Sequence, residues 1–149
     1  MVNSLQEIVG KFEEAALRHG VQKIKTIGDA FMAVAGLTDP DPNPALTLLK
    51  FGFDLIAAAA EHSAGWKIRI GIHVGPIVSG ILGQTQFTFD VWGHTVNAAN
   101  RIESNGRPGF VTLSEVAWAD VQTEVQGTPR EANAKGLGSM TVWDVVPNC

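Results

Sequence analysis

In the stretch VQKIKTIGDAFMAV a carboxylate, Asp29, follows Lys25 by four residues. Asp29 is of the type that binds a divalent cation. A lone carboxylate does not hold Mg²⁺ well, so such a site needs another ligand and usually a bound phosphate. Taken alone, Asp29 reads as a turn residue, because Asp suits a Gly-Asp turn. Lys25 and Asp90, the latter in FTFDVWG, are complementary. A lysine donates to an acceptor ring nitrogen, and an aspartate accepts from an exocyclic amine. That combination suits the edge of adenine better than that of guanine, which presents an oxygen and a ring N–H. Singly, Lys25 reads as a solvated strand lysine like Lys23, and Asp90 as an acid flanking a turn. Asn97 and Arg101 are four apart in HTVNAANRIES and share a helix face. A guanidinium is suited to bidentate contact with phosphate, and an Asn can hydrogen-bond a sugar or fix a reacting oxygen. As an isolated pair they are an ordinary polar helix surface.

The stretch GIHVGPIVSGILG holds Gly71, Gly75, Gly80 and Gly83. It lacks the GK[ST] ending of a P-loop and the G-x-G-x-x-G dinucleotide fingerprint. Its glycines fit close backbone packing and a bend. His73 reads as a strand histidine rather than a ligand. With four His and one Cys in the chain, a Cys/His zinc site is not expected. Trp66, Trp92, Trp118 and Trp143 read as core or interface residues.

The elements that must position these residues follow from periodicity. Leu5, Ile8, Val9, Phe12 and Ala16 recur at helical spacing, with Asn3 or Ser4 as the cap and His19-Gly20 as the end. VQKIKTI alternates as a half-buried strand, Gly28-Asp29 is the hairpin turn, and AFMAVAGL returns, apolar enough to be central. After the Pro-rich loop TDPDPNP, a helix runs from about Pro44 to about His62, with Leu46, Leu49, Phe53 and Ile56 as its buried stripe. WKIRIGIHVGPIV reads as one strand with Ile68, Ile70 and Ile72 on one face. SGILGQTQ reads as a connection and FTFDVW as a short strand. Gly93 leads into the helix HTVNAANRIES, ended by Asn105-Gly106. Further strands are expected near Thr123–Val125 and Thr141–Val146. This order predicts an α+β fold, a ferredoxin-like, mostly antiparallel sheet with helices packed on it.

The 149 residues, 45% of them hydrophobic, suit a single domain over residues 1–149. Charged residues make up 17%, below the usual quarter, which leaves room for surface buried against a partner subunit. The net charge of -4 and the absence of any Lys/Arg run argue against a nucleic-acid partner. No apolar run reaches membrane-spanning length, so no membrane contact by this segment is expected. Glu7, Glu13 and Glu14 interrupt the N-terminal apolar pattern, unlike a signal peptide. A single cysteine, Cys149, fits a reducing, cytoplasmic setting.

Three stretches in order, VQKIKTIGDAFMAVAGL, IRIGIHVGPIVSGILG and FDVWGHTVNAANRIES, resemble the catalytic domain of the class III nucleotidyl cyclases, the adenylyl and guanylyl cyclase family. The resemblance runs from the first helix to the closing AKGLGSMTVWDVV. It implies formation of a 3′,5′-cyclic nucleotide and pyrophosphate from a nucleoside triphosphate, by attack of the ribose 3′-oxygen on the α-phosphorus. Two Mg²⁺ or Mn²⁺ ions assist in that family, and the site lies between two catalytic domains. By motif, Asp29 matches a metal-binding aspartate. Lys25 and Asp90 match the base-reading pair, with the backbone carbonyl of Val91 beside them. Asn97 looks like the asparagine that orients the ribose, and Arg101 like the arginine that stabilises charge developing on phosphate. Lys135, or the position of Leu137, falls where the family contacts the terminal phosphates. One hairpin thus serves two sites of a homodimer, Asp29 in one and Lys25 in the other.

Lys25 with Asp90 is the adenylyl combination, where guanylyl members typically carry a Glu and a Cys or similar residue. The resemblance therefore implies ATP over GTP. One mispaired buried polar group costs about 1–3 kcal/mol, which corresponds to roughly ten- to hundredfold discrimination. The family domain normally opens with a strand ending in a Phe-x-Asp motif, then a helix, and no stretch here matches that motif. The resemblance so implies a domain lacking its first strand and first metal aspartate. A fragment of a longer cyclase, a truncated inactive domain, and a chain that supplies only the base-reading face to a complete partner all fit. The expectation is a chain with little or no cyclase activity by itself. Asn100, where the family usually has a small residue, departs from the pattern beside Arg101. A catalytically dead nucleotide-binding or dimerisation module, a guanylyl cyclase and a plain ferredoxin-like interaction domain remain as other readings.

Overall fold

A computed structural model describes residues 2–27, 30–37, 41–62, 65, 67–82, 88–134 and 138–146. Helix α1 (Val2–His19) leads into strands β1 (Gln22–Ile27) and β2 (Ala30–Val34), then α2 (Pro44–Glu61). Strands β3 (Ile70–Ile72), β4 (Val78–Leu82) and β5 (Thr88–Trp92) precede α3 (His94–Ser104). Strand β6 (Val111–Ser114), the short α4 (Glu115–Ala119), β7 (Thr128–Ala134) and β8 (Gly138–Val145) complete the order. One four-stranded sheet has the order β3-β6-β8-β7. Its β3–β6 pair is parallel, and the β6–β8 and β7–β8 pairs are antiparallel. The hairpins β1–β2 and β4–β5 form separate antiparallel ladders. Helices packed on a mainly antiparallel sheet give the α+β architecture expected from sequence.

Local chemistry sets the helix ends. Val21 N–H donates to the Ala16 carbonyl at 2.9 Å and Gly20 N–H to the Leu17 carbonyl at 3.4 Å, with Gly20 at φ 69°. This is a Schellman close, which favours glycine at the left-handed position. At the other end α1 is already helical at Val2, so Asn3 and Ser4 lie inside it rather than at its cap. Asn43 caps α2 by accepting from Leu46 N–H at 3.2 Å, and Pro44 occupies the first helical position.

Helix α2 faces two ways. Ala45 and Leu49 pack with Ile72, Val111 and Leu113 of the sheet. Phe51, Leu55 and Ala59 pack with Ile8, Phe12, Ala15 and Ala16 of α1. The buried stripe is therefore broader than expected, and Leu46, Phe53 and Ile56 are only partly buried.

Several sequence expectations need correction. The stretch WKIRIGIHVGPIV is not one strand. Regular pairing stops at Ile72 and resumes at Val78, because Gly75-Pro76 interrupts it and proline has no N–H for a ladder. Ser79, Gly80, Ile81 and Leu82, read as a connection, are paired residues of β4. Thr123–Val125 is a turn, not a strand. Among the described residues β2 pairs only with β1, so it is not a central strand.

Candidate functional site

Helix α3 is anchored along its length. At its start Gly93, at φ 123°, turns the chain out of β5. Thr95 Oγ1 donates to the Pro76 carbonyl at 2.6 Å. In the middle, the helix backbone lies directly on β3. A Cβ at Gly71 would stand 2.4 Å from the Glu103 nitrogen and 2.8 Å from the Ala99 oxygen. This is the close backbone approach that the glycine spacing predicts. At its end, Arg69 donates to the Ser104 carbonyl at 3.2 Å and Arg130 to the Asn105 carbonyl at 2.6 Å. Two cations on the last carbonyls complement the negative end of the helix dipole.

The free face of α3 is polar. Asn97, Asn100, Arg101, Ser104 and Asn105 line one groove. Asn97 and Arg101 share this face, as their spacing predicts. Asn100 and Ser104 join them at helical spacing, i+3 and i+7 from Asn97. That periodicity is present in the sequence, where it extends beyond the Asn97–Arg101 pair. Among the described residues the Arg101 guanidinium makes no ion pair, which leaves its donor fork available to an anion.

Strand β5 carries Asp90 opposite Gly80 and Val91 opposite Ser79 of β4. Strand β1 packs against β5, so the strands that bear Lys25 and Asp90 are neighbours. Between Lys23 and Lys25 the β1–β2 register shifts, as at a β-bulge. Such a shift breaks the rule that residues two apart share a face. The two lysines differ accordingly: Lys23 is exposed and ion-paired with Glu13 of α1, whereas Lys25 is half-buried.

Asp29 and Lys135 lie outside the described residues, as does Leu137. Among the described residues no three His, Cys, Asp or Glu side chains are grouped to hold a metal ion. His73, just past β3, bonds through Nδ1 to Ser114 Oγ at 2.7 Å, and burial pushes its imidazole pKa below the usual value. Trp118 of α4 and Trp143 of β8 stack with centroids 4.4 Å apart; Trp118 is buried in the core and Trp143 is partly buried against it, in line with their reading as core or interface residues.

The model of the adenylate and guanylate cyclase catalytic domain matches residues 1–145. "Adenylyl cyclase X E" of Drosophila melanogaster is 36% identical over 139 residues, covering 89% of this chain and 12% of that protein. "Guanylate cyclase soluble subunit beta-2" of Rattus norvegicus is 34% identical over 155 residues, covering 99% of this chain and 23% of that protein. The chain thus spans a minor part of the length of these relatives. Among solved structures, the guanylate cyclase domain of RhGC from Catenaria anguillulae in complex with GTP superposes with a TM-score of 0.92 at 29% identity. That superposition covers 100% of this chain and 85% of the other.

Proposed function

Because the chain belongs to the adenylate and guanylate cyclase catalytic domain family, we propose that it is the catalytic part of an adenylyl-type enzyme. The reaction is conversion of ATP to 3′,5′-cyclic AMP and pyrophosphate. The observation that carries the adenylyl reading is the neighbouring of β1 and β5, which bear Lys25 and Asp90. Lys25 donates to a ring nitrogen of the base, Asp90 accepts from the exocyclic amine, and the Val91 carbonyl lies beside it. Asn97 orients the ribose. Arg101 donates to the α-phosphate oxygens, where negative charge builds in the transition state. Lys135 contacts the terminal phosphates. Asp29 is the proposed ligand for Mg²⁺ or Mn²⁺, two ions being implied by the family resemblance.

The working unit in this reading is a homodimer with shared sites, located in the cytoplasm. No helix among the described residues is long and apolar enough to cross a membrane. A guanylyl reading is kept as the second one, because the relatives include guanylate cyclases and one similar structure holds GTP.

The test is product formation from ATP and, separately, from GTP with Mn²⁺, using this chain and a version extended upstream. Cyclic AMP from the longer version only is the expected result. Robust cyclic AMP from the 149-residue chain would refute its inactivity. Cyclic GTP in excess would favour the guanylyl reading. No product from either form, with ATP still bound, would replace the enzyme by a nucleotide-binding module.

A further inference from the structure

A chain of hydrogen bonds runs from the sheet core to the backbone of Arg101. Its root is Asp144 on β8, a carboxylate only 4% exposed. Thr112 Oγ1 donates to Asp144 Oδ1 at 2.7 Å from the neighbouring β6. Arg130 on β7 donates from Nε to Oδ2 at 2.6 Å and from Nη2 to Oδ1 at 3.4 Å. The same Nη2 donates to the Asn105 carbonyl at 2.6 Å. Asn105 in turn holds Arg101: its backbone N–H donates to the Arg101 carbonyl at 3.1 Å and its side-chain amide to the same oxygen at 2.9 Å.

We propose that Asp144, Arg130 and Asn105 are positioning residues, a relay that fixes the Arg101 turn of α3 to the sheet so that its guanidinium is aimed without moving. The role of Arg101 in this inference rests on the cyclase reading above. The relay itself rests on the bonds just described.

The chemistry of each member suits this role. A planar guanidinium presents donors in a fixed fork, so Arg130 serves a carboxylate and a helix-end carbonyl at once. A lysine delivers one point charge and cannot span both. The carboxylate is nearly fully buried, so its orientation is set by Thr112 and Arg130 rather than by water. Register adds to this: Thr112 and Thr128 both lie opposite Asp144 in the ladders, so the carboxylate sits where three strands meet. Arg107 also approaches Asp144, at 3.9 Å, but it is exposed and rests on the Phe110 ring at 4.7 Å. It provides a natural control, because it touches the carboxylate and not the Asn105 carbonyl.

The test has two readouts. The first is amide hydrogen exchange on the 149-residue chain. Arg130→Lys keeps the buried charge pair and is expected to speed exchange in the last turn of α3 by about tenfold, with the β6–β8 amides unchanged. Asn105→Ala, which leaves the sheet untouched, is expected to act in the same direction. Arg107→Ala is expected to leave α3 at the wild-type rate.

The second readout is kcat from ATP in whichever form of the chain turns over. Arg130→Lys is expected to lower kcat up to about 100-fold with a smaller change in KM, as misplacement of a reacting group does. Combined with Arg101→Ala it should add nothing further, because both act through one group. Unchanged α3 exchange in Arg130→Lys and Asn105→Ala would overturn the relay, and so would losses in kcat that multiply independently. If exchange responds as expected but no form makes a cyclic nucleotide, the relay stands and the cyclase reading falls.

Discussion

Gly71→Ala tests whether α3 is seated by backbone contact. A methyl group at this position would lie 2.4 Å from the Glu103 nitrogen and 2.8 Å from the Ala99 oxygen, whereas ordinary contact begins at 3.4 Å. Neither atom belongs to a flexible side chain, so the helix must retreat from β3 by about 1 Å. Overpacking of this kind costs about 1–3 kcal/mol, or a fall in Tm of about 2–12 °C for a chain of this size. Ala99 and Glu103 flank Arg101, so the same retreat displaces the guanidinium. A misplacement of about 1 Å costs roughly 100-fold in rate, equivalent to about 2.7 kcal/mol of barrier. Turnover should thus fall more than nucleotide affinity. The assays are thermal unfolding followed by circular dichroism on the 149-residue chain and kcat from ATP in the active form. An alanine variant with wild-type Tm and wild-type kcat would refute the seating of α3 on the β3 backbone.

Three further outcomes are expected. The double substitution Lys25→Glu with Asp90→Cys should shift the ratio of ATP to GTP turnover toward GTP by at least about tenfold, since even one mispaired polar group costs about 1–3 kcal/mol; an unchanged ratio would dissociate the pair from base choice. Burial lowers the His73 pKa from 6.5, so the unfolded chain binds the proton more readily. Its contribution to stability is present above pH 6.5 and is lost as pH falls through the lower folded value. Melting profiles between pH 8 and pH 5 (about three units, spanning the imidazole range) should therefore show an acid-side decline that His73→Gln reduces; the same decline in the variant would remove His73 as its cause. Trp118→Ala should cost about 3–5 kcal/mol in a urea titration, because Trp118 is buried against Trp143. A cost below about 1 kcal/mol would mean that the core collapses around the gap.

The parts legible in the sequence are those whose ends carry their own chemistry. Helix α2 begins at Asn43-Pro44 and α3 runs from after Gly93 to Asn105, as the cap residues indicate. The polar face of α3 was legible for the same reason: spacing of three and four is a local property. What escaped was set by partners distant in the chain. The register shift before Lys25 arises from pairing with β2 and has no signature in KIK. Strand β7 contains Pro129, which counts against a strand, yet it is tolerated because β7 is the sheet edge. Helix α4 has a local cap, Ser114 accepting from Ala117 N–H at 3.2 Å, but five residues are too few for periodicity. Arg130 and Asp144 gave no signal as site residues, because their connection to Arg101 passes through bonds between separate elements.

The parallel pairing of β3 with β6 has a consequence for how this domain can change. Parallel neighbours cannot be joined by a tight turn, so the chain must leave the sheet and return. Here the excursion is residues 73–110, and the helix in it is α3. The helix with Asn97 and Arg101 is therefore also the strap that lets two strands of the sheet lie side by side. Its removal would unfasten the sheet, so the fold requires this helix whatever side chains line its polar face. The hairpins with Lys25 and Asp90 are different, since each closes its own ladder outside the four-stranded sheet. In the adenylyl reading proposed above, choice of base can therefore drift there at small structural cost. The architecture thus separates a helix on which the sheet depends from two hairpins that lie outside that sheet.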